Sequence, residues 1–280
     1  MAFLFHPNSF PSNGKRLTGF PRYTEVLERN IKQFLFTNLL TLAGFLPFGI
    51  GIALAILSSS VLVLIPACII GGIFAGPALS CMYDTVMRGL RDASGKCRET
   101  YKHAWKQNWR QSILPGILFC TMLGFYIFMA MLFWWSARFP GWGTLALYLF
   151  SLLLFTMFFS VCWPQIALFK QPFRQCARNC LLFILRFFPK TVGISLLQLL
   201  YWAVLVLFLP WSVMLIPLIG FWFILYTANF LLYNTLNDSF QIEKLIADAF
   251  PEQVPFYEND EEWLKRKQAI LNDHDSSLFR

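Results

Sequence analysis

The chain has 280 residues, of which 57% are hydrophobic and 14% are charged, and its mean hydropathy is +0.54. Soluble domains carry about 25% charged residues, so this composition excludes an ordinary soluble globular protein and indicates an integral membrane protein. The formal net charge of +8 fits membrane topology and contact with anionic lipid, and it does not indicate a nucleic-acid partner. We therefore expect the lipid bilayer to be the first partner of the chain.

Residues 1–33 are predicted to form a cytoplasmic N-terminal segment with a short helix that runs into the first span. Thr24 can cap this helix, with Glu25 and Glu28 in its first turns and Arg29 later, an order that suits the helix dipole. No basic stretch precedes an apolar run at the start of the sequence, so no cleavable signal peptide is expected. The first span should then act as the signal anchor.

The membrane domain is predicted to occupy residues 34–233. A helix needs about 20 mostly apolar residues to cross a bilayer, and six stretches meet this requirement without a single Asp, Glu, Lys, Arg or His. The fold class predicted from them is an all-α integral membrane protein with a six-helix transmembrane bundle. The predicted spans are 34–57, 61–82, 113–135, 144–169, 191–209 and 211–233.

The distribution of Lys and Arg predicts the orientation of the bundle. Five lie before residue 34, seven in 83–112, five in 170–190 and five after residue 233, which leaves only Arg138 of the 23 in a loop on the other side. Basic residues concentrate on the cytoplasmic side of membrane proteins. We therefore expect both termini in the cytoplasm and the protein in the cytoplasmic membrane.

The two basic connections, 83–112 and 170–190, are each predicted to contain an amphipathic helix at the inner membrane interface. The order of span, interfacial helix and span in both halves is also consistent with an internal repeat. Each predicted interfacial helix has apolar residues at helical spacing: Tyr101, Ala104, Trp105 and Trp109 in the first, and Phe173, Ala177, Cys180, Leu181 and Ile184 in the second.

Residues 234–280 form a tail of opposite charge. It holds ten of the fifteen Asp and Glu residues of the chain against five Lys and Arg. A helix is predicted from Asn234 to Phe250, because Pro251 then interrupts the pattern. The remaining tail either folds back on the basic loops or is solvated.

The spans carry amides but no charged group. Ion-coupled transporters usually keep an ionisable residue inside the bundle, so the sequence does not favour that class. The amides either form hydrogen bonds between helices or line a substrate site. They are Asn38, Gln165, Gln198 and Asn229.

The second span is rich in small residues. Gly72 and Gly76 stand in GxxxG register, and Pro77 and Ala78 follow them. Small residues let helices approach closely, and an internal proline bends a helix. These four residues therefore form either a helix-packing face, which we prefer, or part of a permeation path.

The sequence offers few candidates for chemistry. Asp84 and Arg88 stand at i and i+4, which predicts either a local ion pair or a partner contact. Cys176 and Cys180 can share a helix face, but without two further ligands they do not predict a zinc site. No P-loop pattern or nucleophile–base arrangement occurs. We predict no catalytic residue, cofactor or metal, and no enzymatic activity.

Two sequence segments carry a family resemblance. The second span ends in GPALSCMYDTVMRGLRD, and WKQNWRQSILPG leads into the third. Together they resemble the YesL family of bacterial membrane proteins, which contain a domain of unknown function numbered 624. The resemblance covers roughly residues 30–235 and includes Arg-Phe-Phe-Pro-Lys, which ends at Lys190. The residues that carry it are Gly76, Pro77, Ala78, Tyr83, Arg88, Arg91, Asn108 and Gln111.

The resemblance implies a multi-span protein of the bacterial inner membrane, often associated with carbohydrate ABC importers, and no established catalytic residue. Our first hypothesis is accordingly an accessory component of such an uptake system, in contact with a permease or ATPase subunit. The alternative is a stand-alone transporter or channel for an uncharged or amphiphilic solute. The expected partner or membrane interface comprises Asp84, Arg88, Tyr101, Trp105, Trp109 and Arg110.

Overall fold

A computed structural model describes residues 16–93, 96–136 and 141–249 of the chain. This part of the chain is all α-helical, with eight helices and no strand. In chain order the helices are α1 (Gly19–Leu57), α2 (Val61–Leu90), α3 (Cys97–Ser136), α4 (Trp142–Leu168), α5 (Phe173–Arg186), α6 (Phe188–Leu207), α7 (Ser212–Phe240) and α8 (Ile242–Ala249).

Six of these helices, all except α5 and α8, are long and apolar enough to cross a membrane. Each overlaps one of the six predicted spans, which confirms the prediction of a multi-pass α-helical membrane protein. The helices α1 and α3 have 39 and 40 residues. At about 1.5 Å per residue they are about 60 Å long, roughly twice the thickness of the hydrocarbon core. Their charged N-terminal parts therefore extend beyond the bilayer.

Each of these extensions differs from the sequence prediction in one respect. The N-terminal helix continues into the first span as predicted, but it begins at Gly19, so Thr24 lies inside α1 and does not cap it. The Thr24 hydroxyl instead donates to the carbonyl of Pro21 at 3.1 Å. The first predicted interfacial helix is also not a separate element, because α3 runs without a break from Cys97 into the third span.

The second basic connection does contain a separate short helix, α5. It buries Cys176, Cys180 and Phe183. The two basic connections therefore have different structures: one is the start of a spanning helix, and the other is an independent helix. The outward residues of α5 include three exposed leucines, Leu181, Leu182 and Leu185.

The helix predicted for residues 234–250 is interrupted. The helix α7 ends at Phe240, Gln241 adopts a left-handed conformation with φ of 49°, and α8 begins at the next residue. The left-handed residue ends α7, so α8 is a separate short helix. The rest of the acidic tail, residues 250–280, lies outside the described residues.

The most buried spanning helix is α2, and two of its glycines, Gly72 and Gly76, face α3. A Cβ added at Gly72 would lie 2.4 Å from the Cα atom of Ile117, and one added at Gly76 would lie 2.4 Å from the carbonyl oxygen of Ser112. Gly116 completes the contact from the α3 side. The two backbones thus touch, and this close approach maximises the van der Waals contact that holds helices together in lipid.

Small residues also join α2 to α1. A Cβ added at Gly44 would lie 2.5 Å from the Cβ atom of Ala78, and one added at Gly51 would lie 2.4 Å from that of Ala67. Pro77 is buried beside Ala78 on α2. The small-residue face predicted from the sequence is thus occupied by packed helices on two sides.

Aromatic side chains fill the space between α2, α4 and α7. Trp163 and Tyr226 are among the largest fully buried side chains. The ring of Tyr83 stacks on Trp163 with centroids 6.3 Å apart, and that of Phe34 stacks on Trp222 at 5.7 Å. This packing joins α4 and α7 to the three closely packed N-terminal helices.

The helices are arranged so that their basic segments meet at one end of the bundle, which we call the basic end. Arg22 near the start of α1 donates to the carbonyl of Leu90 at the end of α2. Gln111 in α3 donates to the carbonyl of Ile166 near the end of α4 at 2.7 Å. The short helices α5 and α8 lie at the same end, where the candidate functional groups are found.

Candidate functional site

A buried cluster of charges joins α1 to the end of α2. Asp92, which follows α2, accepts hydrogen bonds from both Arg22 and Arg29 of α1. The Asp92 side chain is only 1% exposed. Glu25 pairs with Arg22 at 3.2 Å and with Arg29 at 3.6 Å. Two carboxylates thus balance two guanidinium groups, as burial of charge requires.

A second ion pair fixes α8 to the same region. Arg16 donates to Glu243 at 2.7 Å, and the hydroxyl of Tyr233 donates to the same carboxylate at 2.6 Å. The backbone N–H of Glu243 also donates to the side chain of Asn237 at 2.9 Å. The first part of the acidic tail is therefore held against the N-terminal segment.

Burial and ion pairing act in opposite directions on these two carboxyl groups. Burial raises the pKa of Asp92 to about 6, even though Arg22 and Arg16 act to lower it. Burial also acts to raise the pKa of Glu243, but the hydrogen bonds from Arg16 and Tyr233 outweigh it and the pKa is lowered. Both groups are therefore mainly ionised at pH 7.

Acidification should release α8. Because the folded-state pKa of Glu243 is lowered, its contribution to docking is present above the unfolded value of about 4.3 and is lost as the pH falls below it. Nitroxide labels at Lys102 and Lys244, both exposed, should give a narrow distance distribution at pH 7 and a broad one below about pH 4. In Glu243→Gln the distribution should already be broad at pH 7. An unchanged distribution down to pH 3 would contradict this prediction.

A polar cleft lies beside these two charge clusters. It has a volume of about 350 Å³ and is formed by the end of α2, the start of α3, the end of α4 and α8. Its lining mixes acidic and basic side chains with neutral polar and apolar ones. The lining residues are Asp84, Arg88, Arg91, Glu99, Thr100, His103, Gln107, Ala167, Leu168 and Ile246.

The α2 wall of the cleft is fixed by local contacts. Asp84 accepts a hydrogen bond from Nε of Arg88 at 2.7 Å, so the ion pair at i and i+4 is formed within the helix. Nε of Arg91 donates to the carbonyl of Met87 at 3.2 Å. One hydrogen bond from Nε thus restrains each of these two arginine side chains against α2.

The α3 wall is held to α4 by two amides. Asn108 donates to the carbonyl of Ala167 at 3.4 Å, and Gln111 donates to that of Ile166 at 2.7 Å. These carbonyls belong to the last turn of α4, where they have no partner within the helix. The two amides therefore complete the end of α4 and set the width of the cleft.

The aromatic residues predicted as a partner or membrane interface lie on another face of α3. Tyr101 stacks on Trp105 with ring centroids 6.2 Å apart. Trp109 is 42% exposed, and the Arg110 guanidinium lies 5.2 Å from the centre of its ring. Residues two positions apart are separated by about 200° around a helix. The aromatic face thus points away from His103 and Gln107 and from the cleft.

The four intramembrane amides do not converge on a common site. Asn38 of α1 donates to the carbonyl of Pro217 in α7 at 2.9 Å and accepts from the N–H of Phe221 at 2.9 Å. Gln198 of α6 donates to the hydroxyl of Ser160 in α4 at 2.9 Å. These two amides bridge neighbouring helices, which is the structural role expected for a buried amide in a membrane.

Of the other two amides, one bonds within its own helix and one bonds to a neighbouring short helix. Asn229 donates to the carbonyl of Leu225 one turn earlier in α7 at 2.7 Å. Gln165 donates to the sulfur of Cys180 in α5 at 3.2 Å. All four amides are buried, and they lie at four different places in the bundle.

Sequence reasoning missed Asp92, Glu99 and His103 as members of the charged region. The positions of the acidic residues in the sequence could have indicated this charged region. Only five acidic residues precede the tail, and all of them lie close in sequence to the two basic segments that meet at this end of the bundle. Four take part in ion pairs at the basic end: Glu25, Asp84, Asp92 and Glu99.

Searches with this sequence and structure find no matching protein-family model, no matching curated protein and no matching solved structure.

Proposed function

We propose that the chain is an accessory component of a carbohydrate ABC-type uptake system, located in the cytoplasmic membrane with both termini in the cytoplasm. The polar cleft at the basic end is the proposed contact site for a permease or ATPase subunit. The cleft carries this proposal because it brings charged side chains from separate helices into one accessible cavity. The resemblance to the YesL family supplies the class of partner.

The position of the cleft supports a cytoplasmic partner. It opens among the segments that hold nearly all of the Lys and Arg residues of the chain, which favours a cytoplasmic location under the positive-inside rule. The ATPase subunits of ABC systems, and the permease helices that contact them, lie on this side of the membrane. A contact through the basic end would therefore meet those subunits directly.

The chemistry of the cleft suits a protein segment. Arg88 and Arg91 offer donors from one wall, while Glu99 offers a carboxylate from the other. Such a mixture of signs is complementary to a polar segment that carries both charges, and charge complementarity gives specificity more than affinity. The apolar edge at Leu168 and Ile246 can contact an apolar side chain of the same segment.

The alternative, a stand-alone transporter or channel, has weaker support. It needs a cavity in the membrane part of the bundle lined by polar groups. Asn38 and Gln198, two of the residues proposed for it, instead bridge packed helices, and Asn229 bonds within α7. The glycine face of α2 is likewise filled by α1 and α3.

Affinity purification in mild detergent tests the proposed contact. The variant His103→Glu/Gln107→Glu adds two negative charges inside the cleft. The control Lys102→Gln/Lys106→Gln removes two positive charges from exposed sites on the same helix that do not line the cleft. Permease or ATPase subunits should be recovered with the parent chain and with the control, and their yield should fall about 10-fold or more with the cleft variant, equal to at least about 1.4 kcal/mol.

Two outcomes would count against the proposal. Recovery of the chain alone from cells grown on several sugars would remove the uptake system as a partner. Equal recovery with the cleft variant and the control would leave the partner but exclude the cleft as its contact site.

A further inference from the structure

Three cysteines from two helices meet at the basic end of the bundle. Cys162 lies near the end of α4, and Cys176 and Cys180 lie one turn apart on α5. Their sulfur atoms all lie within 4.8 Å of one another, and those of Cys162 and Cys176 are 3.6 Å apart. All three residues are buried, with exposed fractions of 0 to 1%.

The surroundings of the three sulfurs are polar on one side. Gln165 donates from Nε2 to the sulfur of Cys180 at 3.2 Å, and its Oε1 accepts from Gln171 at 3.2 Å. The side chain of Gln171 in turn accepts from Asn179 at 3.3 Å. A donor fixed toward sulfur stabilises a thiolate, and such outer hydrogen bonds orient metal ligands. Buried cysteines that serve only as small apolar residues do not need this chain of amides.

The sulfur positions suit a single metal ion. Metal–thiolate distances near 2.3 Å place three sulfurs about 3.8–4.0 Å apart around one ion. The sulfurs of Cys162 and Cys176 are 3.6 Å apart and the other separations are at most 4.8 Å, so side-chain movements of about 1 Å or less would bring the three sulfurs into contact with one ion. Cys176 and Cys180 alone did not predict a metal site from the sequence, and the third ligand comes from a different helix.

The number and type of ligands identify the ion. Structural zinc sites use four protein ligands, and among the described residues no fourth His, Cys, Asp or Glu joins this group. Thiolates are soft ligands that suit Cu(I), zinc and iron–sulfur clusters, and of these Cu(I) is the one that accepts three-coordinate sulfur geometry.

We propose that Cys162, Cys176 and Cys180 form a binding site for one Cu(I) ion. Each thiol that binds the ion releases its proton to solvent, and the metal stays in the Cu(I) state. The amide of Gln165, which donates to Cys180, offsets part of the resulting negative charge. Only α5 separates the site from the surface, since Gln175 and Arg178 on its outer side are exposed. A local movement of this helix would therefore admit the ion.

The experiment uses the full chain, purified in detergent, fully reduced and kept free of oxygen. Cu(I) is supplied from its bicinchoninate complex, and uptake is followed by the loss of the absorbance of that complex. One equivalent of Cu(I) should bind per chain. X-ray absorption should then show three sulfur neighbours at about 2.3 Å.

Cysteine variants locate the site. Each of Cys162→Ser, Cys176→Ser and Cys180→Ser should weaken Cu(I) binding by at least about 10-fold. Cys68→Ser, which changes a buried thiol of α2 outside the cluster, should bind as the parent does. If a serine variant loses its helical circular dichroism, Gln165→Leu replaces it as the probe, because it keeps the three sulfurs while removing the donor to Cys180 and the acceptor for Gln171.

Three results would overturn the proposal. The first is unchanged Cu(I) uptake in the three serine variants. The second is preferential binding of Zn²⁺ in a four-coordinate site when both ions are offered. The third is a disulfide between Cys162 and Cys176 in protein handled in air, together with no Cu(I) uptake after reduction, which would make the cluster a thiol redox pair.

Discussion

Replacing Asp92 with alanine should lower the free energy of unfolding by about 3–5 kcal/mol, the cost of removing one partner from a buried ion pair. Asp92 balances Arg22 and Arg29, whose side chains are only 7% and 10% exposed. Without it, two guanidinium groups remain at a buried site with Glu25 as the one carboxylate that still pairs with both. The start of α1 should then detach from the end of α2.

The control for this prediction is Glu99→Ala. Glu99 also forms an ion pair, with Lys96 at 3.5 Å, but the two side chains are 72% and 65% exposed. Exposed pairs contribute about 0–1 kcal/mol, so this variant should unfold almost as the parent does. Unfolding by SDS in mixed micelles, followed by circular dichroism, compares the two. Equal losses of stability in both variants would show that burial does not determine how much stability is lost when an ion pair loses its carboxylate.

The variant Asp92→Asn distinguishes the effect of the Asp92 charge from the effect of the side-chain shape. The amide retains the size of the carboxylate but removes its charge, so most of the loss expected for alanine should persist. Stability close to that of the parent would indicate that the two arginines need only a hydrogen-bond acceptor at this position.

The double substitution Gly72→Ala/Gly76→Ala should separate α2 from α3. Each added Cβ would lie 2.4 Å from an atom of the α3 backbone, and a backbone cannot move aside as a flexible side chain can. Overpacking of this kind costs about 1–3 kcal/mol at each position. We expect the upper part of that range, because both clashes lie along the same interface.

Gly193→Ala is the matched control for the glycine variant. Gly193 lies inside α6, and a Cβ added there would meet nothing within 4 Å. Alanine is favoured over glycine inside a helix by up to about 1 kcal/mol, so this variant should be as stable as the parent or slightly more stable. Thermal unfolding in detergent provides the measurement. A double variant that unfolds at the same temperature as the control would refute close packing at this interface.

Helix α3 illustrates where the sequence was ambiguous. The spacing of Tyr101, Trp105 and Trp109 correctly indicated a helix, but it could not distinguish an interfacial helix from an extension of the next span. Both have the same 3.6-residue period. Only the geometry of the chain around Ile113, where α3 continues straight into the membrane, decides between them.

For the intramembrane amides, the sequence predicts the structural role but not the partner. Asn38 and Gln198 lie in apolar stretches, where an unpaired polar group is costly, so bonding to a neighbouring helix was the favoured prediction. Their partners could not be predicted, because they come from distant parts of the chain. Asn38 bonds to residues of α7 that lie 178 to 184 positions later.

The sequence by itself determined that the chain is a multi-pass membrane protein with six spans, because twenty apolar residues in a row have no stable place except the hydrocarbon core. The sequence also shows that the basic residues are concentrated in alternate connections between the spans. The tertiary structure alone decided which charges pair, which side chains line the cleft and that Cys162 meets Cys176 and Cys180. These outcomes depend on how helices far apart in sequence pack against one another, and hydropathy, which is a property of local composition, carries no information about that packing.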